Sequence, residues 1–295
     1  MNYTEKLYTP CALCPRECGV DRLSGVKGRC GMSREIKIAR TMLHMWEEPI
    51  ISGTRGSGAI FFVGCPLGCI YCQNKKISRG KGGSLYTEDT LAEEMLSLEK
   101  SGAHNINLVT PTHYVPSIIE SVGIAKAKGL SVPVVYNTSS YEKVETLRLL
   151  ENTAHIYLAD IRYYRPNLAA EYSLAPDYPG VARSAIAEMV RQKPQPIIED
   201  GIMKSGVIVR ILLLPGMLAD AKLNLKHLVD SYGDNIYVSL MSQYTPSPDL
   251  KRPLDRRVTI AEYDELVEYA EKLGVKNAFI QERESAVESF IPEFS

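Results

Sequence analysis

The stretch "GCPLGCIYCQN", residues 64–74, sets Cys65, Cys69 and Cys72 in a C-x3-C-x2-C spacing. Thiols this close admit three readings: a metal centre, a redox pair at Cys69 and Cys72 with Cys65 to spare, or three inert buried side chains. Gaps of three and two residues cannot close a tetrahedral zinc site unless a distant ligand joins. They suit a [4Fe–4S] cube, normally held by four cysteines, in which one iron keeps an open coordination position. Gly64 and Gly68 let the backbone wrap such a cube and point amide donors at its sulfurs.

A second group, "CALCPRECGVDRLSGVKGRCG", holds Cys11, Cys14, Cys18 and Cys30 as C-x2-C-x3-C-x11-C. Four thiols close a site completely, which points to a structural or electron-carrying centre, zinc or a second [4Fe–4S] cluster, rather than a catalytic one. Free thiols are the bland alternative. Arg16 and Lys27 are candidates to offset the charge of four thiolates. His44 in "LHMWEEP" is a candidate further ligand, although beside Trp46 it reads rather as a packed linker residue. No cysteine follows Cys72.

The bulk composition sets these groups in an ordinary globular chain of 295 residues with a formal net charge of −1. That balance supplies no field for nucleic acid or anionic lipid. The basic run "KKISRGKG" (75–82) is short enough to be a solvated loop. No apolar run approaches the roughly 18 residues of a membrane span, and the first residues carry no apolar signal region. The expectation is a soluble, cytoplasmic protein whose thiols stay reduced and serve metal or catalysis rather than disulfides.

The elements that must position the thiols alternate from residue 58 onward. Buried strands are expected at 59–63, 106–110, 132–136, 155–159, 207–214 and 236–241, with a short one at 278–281. Helical patterns lie between them, including one capped by Thr87 with Leu91, Met95 and Leu98 on one face. Strict alternation means a parallel sheet with both faces covered; an open doubly wound sheet and a barrel both fit. In either, chemistry gathers at the C-terminal strand ends. Those tips are Cys65 to Cys72, Thr110 to His113, Asn137 to Ser140, Asp160 to Arg162, Arg210, and Gln243 to Tyr244. Asp160 is equally suited to capping a helix, whereas Arg210, inside an apolar strand, needs a buried partner.

The signature loop, with Tyr71 just before its last cysteine, resembles the radical S-adenosylmethionine (radical SAM) superfamily. The stretches "LHMWEEPIISG", "INLVTPTHYVP", "VVYNTSSYE", "ADIRYY", "VRILLLPG" and "SLMSQYTP" resemble the PflX-like homologues of pyruvate formate-lyase activating enzyme. The resemblance implies an α/β chain: a partial (β/α)6 TIM-type barrel over 51–295, with a small N-terminal cysteine-rich metal-binding module and linker over 1–50. It implies a [4Fe–4S] cluster on Cys65, Cys69 and Cys72, with S-adenosylmethionine at the open iron. The cluster reductively cleaves that cofactor to a 5′-deoxyadenosyl radical, which takes a substrate hydrogen. Tyr71, Gln73 and Asn74 would lie along the adenine. Thr110 and Thr112 stand where the superfamily has a Gly-Gly-Glu-type motif for the cofactor's amino group. Asn137 and Thr138 would lie near its carboxylate, with Asp160, Arg162 and Arg210 as further cofactor contacts. His113, Gln243 and Tyr244 are candidates to face the substrate. The implied partners are a flavodoxin or ferredoxin-type reductant and a glycyl radical protein, or else a small-molecule or peptide substrate. A non-catalytic iron–sulfur or zinc protein, an electron carrier or binding module, is the alternative of another class.

Overall fold

Strands buried on both faces require covering layers, and the sequence between them supplies helices with one apolar stripe each. The structure, a computed structural model, describes residues 5–281. Its sheet contains β1 (Ile36–His44), β2 (Ser57–Phe62), β3 (Ser84–Tyr86), β4 (Ile106–Val109), β5 (Val134–Thr138), β6 (Ile156–Asp160), β7 (Ile197–Glu199), β8 (Ile202–Leu212), β9 (Tyr237–Met241) and β10 (Ala278–Ile280). The helices are α1 (Pro49–Ser52), α2 (Lys75–Ser78), α3 (Glu88–Lys100), α4 (Val115–Ala127), α5 (Val144–Arg148), α6 (Pro166–Ser173), α7 (Tyr178–Gln192), α8 (Leu218–Tyr232) and α9 (Ile260–Lys272).

The strand order is β10-β9-β8-β6-β5-β4-β2-β1-β3, with β7 paired to β8. From β2 to β10 the neighbours along this path run parallel. β1 and β3 continue the sheet antiparallel beyond β2. The sheet is not closed, so the architecture is a partial TIM-type barrel. Helix ends follow local chemistry: Thr87 and Thr90 form a reciprocal capping box at α3, and Thr259 with Glu262 another at α9.

Side-chain alternation divides the interior. Outward residues of the strands pack under the helices in two cores. Leu91 and Met95 of α3 meet Ile118 and Val122 of α4 in one. Leu225 of α8 and Leu266 of α9 join Val209 and Leu240 in the other. The inward residues Val135, Ile156, Leu158 and Ile208 form a separate cluster with Ile51. Ile51 belongs to α1, which follows β1. Because His44 pairs with Ser57 at the start of β2, the chain leaves β1 at the N-terminal edge of the parallel strands. α1 therefore plugs the bottom of the barrel, and the lumen opens only above this apolar layer.

Two features depart from the sequence expectation. β1 lies within the first fifty residues yet is a strand of the main sheet; its outer face is only half-buried, which blurs the alternation that reveals a strand. β7 is exposed along its whole length, and its "IIE" offered no buried run. Residues 8–34 form no strand or helix longer than one turn. They are linked turns over a small core of Tyr8, Cys11 and Leu13.

Candidate active site

The three-cysteine loop follows β2 directly, as the strand-end argument requires. Gly64 opens it at φ 95°, where an added Cβ would stand 2.5 Å from Met32 Cγ and 2.8 Å from the Cys30 carbonyl, so only glycine fits. The loop is then tied from outside. The Arg16 guanidinium donates to the carbonyls of Pro66 and Leu67 and to those of Ser173 and Leu174. Arg79 donates to the Gly68 carbonyl at 2.9 Å. The Cys65 amide donates to the Cys30 carbonyl at 3.3 Å, joining the two cysteine groups by one backbone bond.

The sulfurs themselves are furnished with donors. The amides of Gly68 and Leu67 hydrogen-bond the Cys65 thiol, and the Ser173 hydroxyl donates to Cys69 Sγ at 3.0 Å. The Tyr163 hydroxyl lies 2.8 Å from the oxygens of both Tyr71 and Ser173. Burial pushes the Cys65 thiol up to about 12, and the neighbouring Cys72 and Cys69 push it the same way. Such a set ionises when bound metal replaces its protons. Among the described residues no three His, Cys, Asp or Glu side chains converge as the ligands of a single ion do. Three thiols spread around one rim, with amide and hydroxyl donors at the sulfurs, fit a multi-iron cube whose ligands sit on separate irons.

Beneath this rim lies one cavity, and most of the residues singled out in the sequence line it. Cys65, Cys69, Tyr71, Cys72, Gln73, Asn74, Thr110, Asn137, Thr138, Asp160, Arg162, Arg210, Gln243 and Tyr244 share its walls. Thr110 holds φ 58°, an unusual conformation for a β-branched residue, kept by its amide bond to Asn137 O at 2.9 Å. Arg210 does have buried partners. It donates to Asp160 Oδ1 at 2.8 Å, to Glu47 Oε2 at 3.1 Å and to Asn137 Oδ1 at 2.7 Å. Arg162 donates to Asp160 Oδ2 at 2.7 Å. Its Nε has no hydrogen-bond partner although buried, a donor suited to a carboxylate such as that of S-adenosylmethionine. The Gln73 side chain donates to the Gln243 carbonyl at 2.9 Å, and the Tyr244 hydroxyl donates to Leu254 O at 2.6 Å.

Thr112 and His113 lie elsewhere. Both are 1% exposed and neither lines the cavity. His113 donates through Nε2 to the Val63 carbonyl at 2.8 Å, and burial, then Arg22, drives its pKa down to about 3. It is a neutral brace behind the strand that feeds the cluster loop. The hydroxyls of Thr112 and Thr138, both at 2.6 Å, and of Tyr136 at 3.2 Å all donate to Glu142 Oε1. Burial raises the Glu142 pKa to about 7 against those three donors. Between the ordinary carboxylate range and about 7, the folded state thus keeps a proton that the unfolded chain has released. Its contribution is present below that window and lost as pH rises through it. Across pH 5 to 8 the unfolding free energy from urea denaturation should fall by a component that Glu142→Gln abolishes, up to about 3 kcal/mol. A variant whose pH profile parallels the parent would contradict this.

Sequence reasoning gave no role to Glu47 and Glu48, although "EEP" within an apolar stretch was the available signal. It also assigned charge compensation at the N-terminal cysteines to Arg16 and Lys27. The structure sends Arg16 to the cluster loop and places Arg22 there instead. Arg22 is 1% exposed, lies 3.8 Å from Cys11 Sγ, and donates to Ser33 O and His113 O. Its face covers the Tyr8 ring at 4.7 Å. Cys11, Cys14 and Cys30 are buried, while Cys18 is partly exposed and accepts the Arg29 amide at 3.1 Å.

A partial barrel with a three-cysteine loop at its first parallel strand narrows the class, and residues 59–164 match the family model described as the Radical SAM superfamily. The match supports a radical SAM reading of this stretch, and with it a [4Fe–4S] cluster and S-adenosylmethionine as cofactors. It is similar to "Uncharacterized protein MJ0674" of Methanocaldococcus jannaschii, 26% identical over 286 residues, covering 92% of this chain and 77% of that one. Among solved structures it resembles a radical SAM methyltransferase from Sphaerobacter thermophilus, at 15% identity and a TM-score of 0.54. That match covers 80% of this chain and 69% of the other. SuiB of Streptococcus suis is similar at 13% identity and a TM-score of 0.51, over 79% of this chain and 52% of that one. At such identities the two structures speak for the fold alone.

Proposed function

We propose that this enzyme abstracts hydrogen from a small molecule that enters the barrel lumen. When bound, the cluster and S-adenosylmethionine supply a one-electron cleavage that yields methionine and a hydrogen-abstracting 5′-deoxyadenosyl radical. The protein's share is positioning. Cys65, Cys69 and Cys72 would hold the cluster at the rim, Tyr71, Gln73 and Asn74 would flank the nucleoside, and Arg162 would take the carboxylate. The plug under Ile51 closes the far end and keeps bulk water from the reacting centre.

The observation that carries the small-molecule reading is the polar layer of Glu47, Asn137, Asp160 and Arg210. It faces into a lumen closed from below, a floor that a protein loop reaching in from outside would not need. The unclosed sheet favours the second reading, installation of a glycyl radical on a partner protein, because an open side admits a protein loop. The reductant would be of flavodoxin or ferredoxin type, and the setting cytoplasmic; among the described residues no helix is long and apolar enough to cross a membrane.

Anaerobically reconstituted, dithionite-reduced protein incubated with S-adenosylmethionine should release 5′-deoxyadenosine. Its absence would sink the hydrogen-abstraction reading. A glycyl-radical electron paramagnetic signal on a candidate partner would instead select the second reading.

Cys11, Cys14, Cys18 and Cys30 would hold zinc or a second [4Fe–4S] cluster, whose thiolate charge is what a buried Arg22 without a carboxylate partner calls for. A Cys11→Ala/Cys14→Ala double variant should lose either about one zinc or about four irons per chain. Unchanged metal content would leave these residues as free thiols.

A further inference from the structure

The lumen holds more carboxylates than guanidinium groups, and one carboxylate oxygen in it has no donor. Three acids face it, Glu47, Glu48 and Asp160, with two guanidinium groups, Arg162 and Arg210. His44 is the other titratable group at this level, and burial, then Arg210, lowers its pKa, so it adds no charge near neutrality. The hydrogen bonds divide the acids unequally. Both oxygens of Asp160 are taken by the arginines. Glu47 Oε2 accepts from Arg210, and Oε1 accepts from Asn107 at 2.9 Å. Glu48 takes a side-chain hydrogen bond from Ser239 and lies in the field of Arg210, but its Oε2 accepts from nothing, although the residue is only 7% exposed and lines the cavity.

Two features fix this group in place. The Glu48 carbonyl accepts the amides of Ile51 and Ser52, so its backbone is committed to the start of α1. α1 in turn is held by the Ile51 plug. That oxygen, on a residue whose backbone is held in place, is desolvated without a donor, at a cost of about 1–3 kcal/mol. A bound cation removes that cost. Trp46, lining the same cavity, adds an aromatic face of the kind that favours organic cations.

We propose that the substrate is a protonated organic amine whose ammonium group sits on Glu48 at the floor of the lumen. This names the substrate class of the hydrogen-abstraction site and rests on that reading. Its test needs no turnover, so the two can fail separately.

Cluster-loaded protein with S-adenosylmethionine present, held anaerobically, is examined by saturation-transfer magnetic resonance. The probes are n-butylamine, cadaverine, agmatine and lysine, set against n-butanol and glutarate. The expected result is transfer to one or more of the amines and to neither control, with affinity about tenfold weaker in Glu48→Gln, the loss of one charge-assisted contact. S-adenosylmethionine affinity, measured by equilibrium dialysis, should be unchanged in the variant. The proposal is overturned if the amines bind no better than butanol. It is also overturned if Glu48→Gln leaves amine affinity within about twofold, or if the variant weakens S-adenosylmethionine instead, which would assign the carboxylate to the cofactor. The comparison of amines with butanol is made on the parent protein, so it decides the matter even if the variant does not fold.

Discussion

Cys69→Ala protein, reconstituted anaerobically, will lose 5′-deoxyadenosine production by on the order of a thousandfold or more, because removing a direct ligand costs more than the 10–100-fold typical of outer partners. Three cysteines are the fewest that leave one iron open while holding the others, so no spare donor replaces a lost one. Iron content and visible absorbance should fall with the activity. Ser173→Ala, which removes only the 3.0 Å donor to the same sulfur, should keep the iron and lose activity by about tenfold. A Cys69→Ala protein that keeps its iron and its product would remove the loop from the chemistry altogether.

Arg210→Met should be the most destabilising change in the lumen, by about 3–5 kcal/mol. The loss is not that of one salt bridge. Arg210 is shared between Glu47 and Asp160, both largely buried, and its removal strands the Glu47 carboxylate beside an unpaired Asn137 oxygen. Surface pairs such as Lys272 with Glu268 should by contrast be worth less than about 1 kcal/mol. Because the penalty comes from stranded charge, Glu47→Gln in the Arg210→Met background should restore part of the stability, and urea denaturation of the two variants reads this directly. If the double variant is less stable than the single one, charge stranding is not the cause.

The sequence disclosed some parts of this site and hid others. All six long parallel strands were legible because burial on both faces writes a continuous apolar run, and the cluster loop because three thiols at short spacing have few structural uses. Strand ends then pointed to the cavity wall from Thr110 to Tyr244. The floor was not legible. Glu47 and Glu48 lie on a connection after an antiparallel strand, at the end of the barrel where chemistry is not expected, and only the return of α1 under the sheet brings them inward. Thr112 and His113 illustrate the reverse error. They sit at a strand's C-terminal end, but the chain turns at once into a 3₁₀ turn over Thr112–Tyr114 and carries them behind the wall. Arg22 was invisible for a similar reason, since its neighbours Ser33 and His113 are distant in sequence.

The bond from the Cys65 amide to the Cys30 carbonyl, together with the grip of Arg16 on the Pro66 and Leu67 carbonyls, bears on how this catalyst can be divided. The stretch that matches the superfamily, residues 59–164, is not a portable unit. Its signature loop takes its outline from residues that precede it by some thirty to fifty positions. Grafting the stretch onto another scaffold, or trimming away the leading segment to obtain a smaller catalyst, would leave a loop with the right cysteines and no mould to set them in.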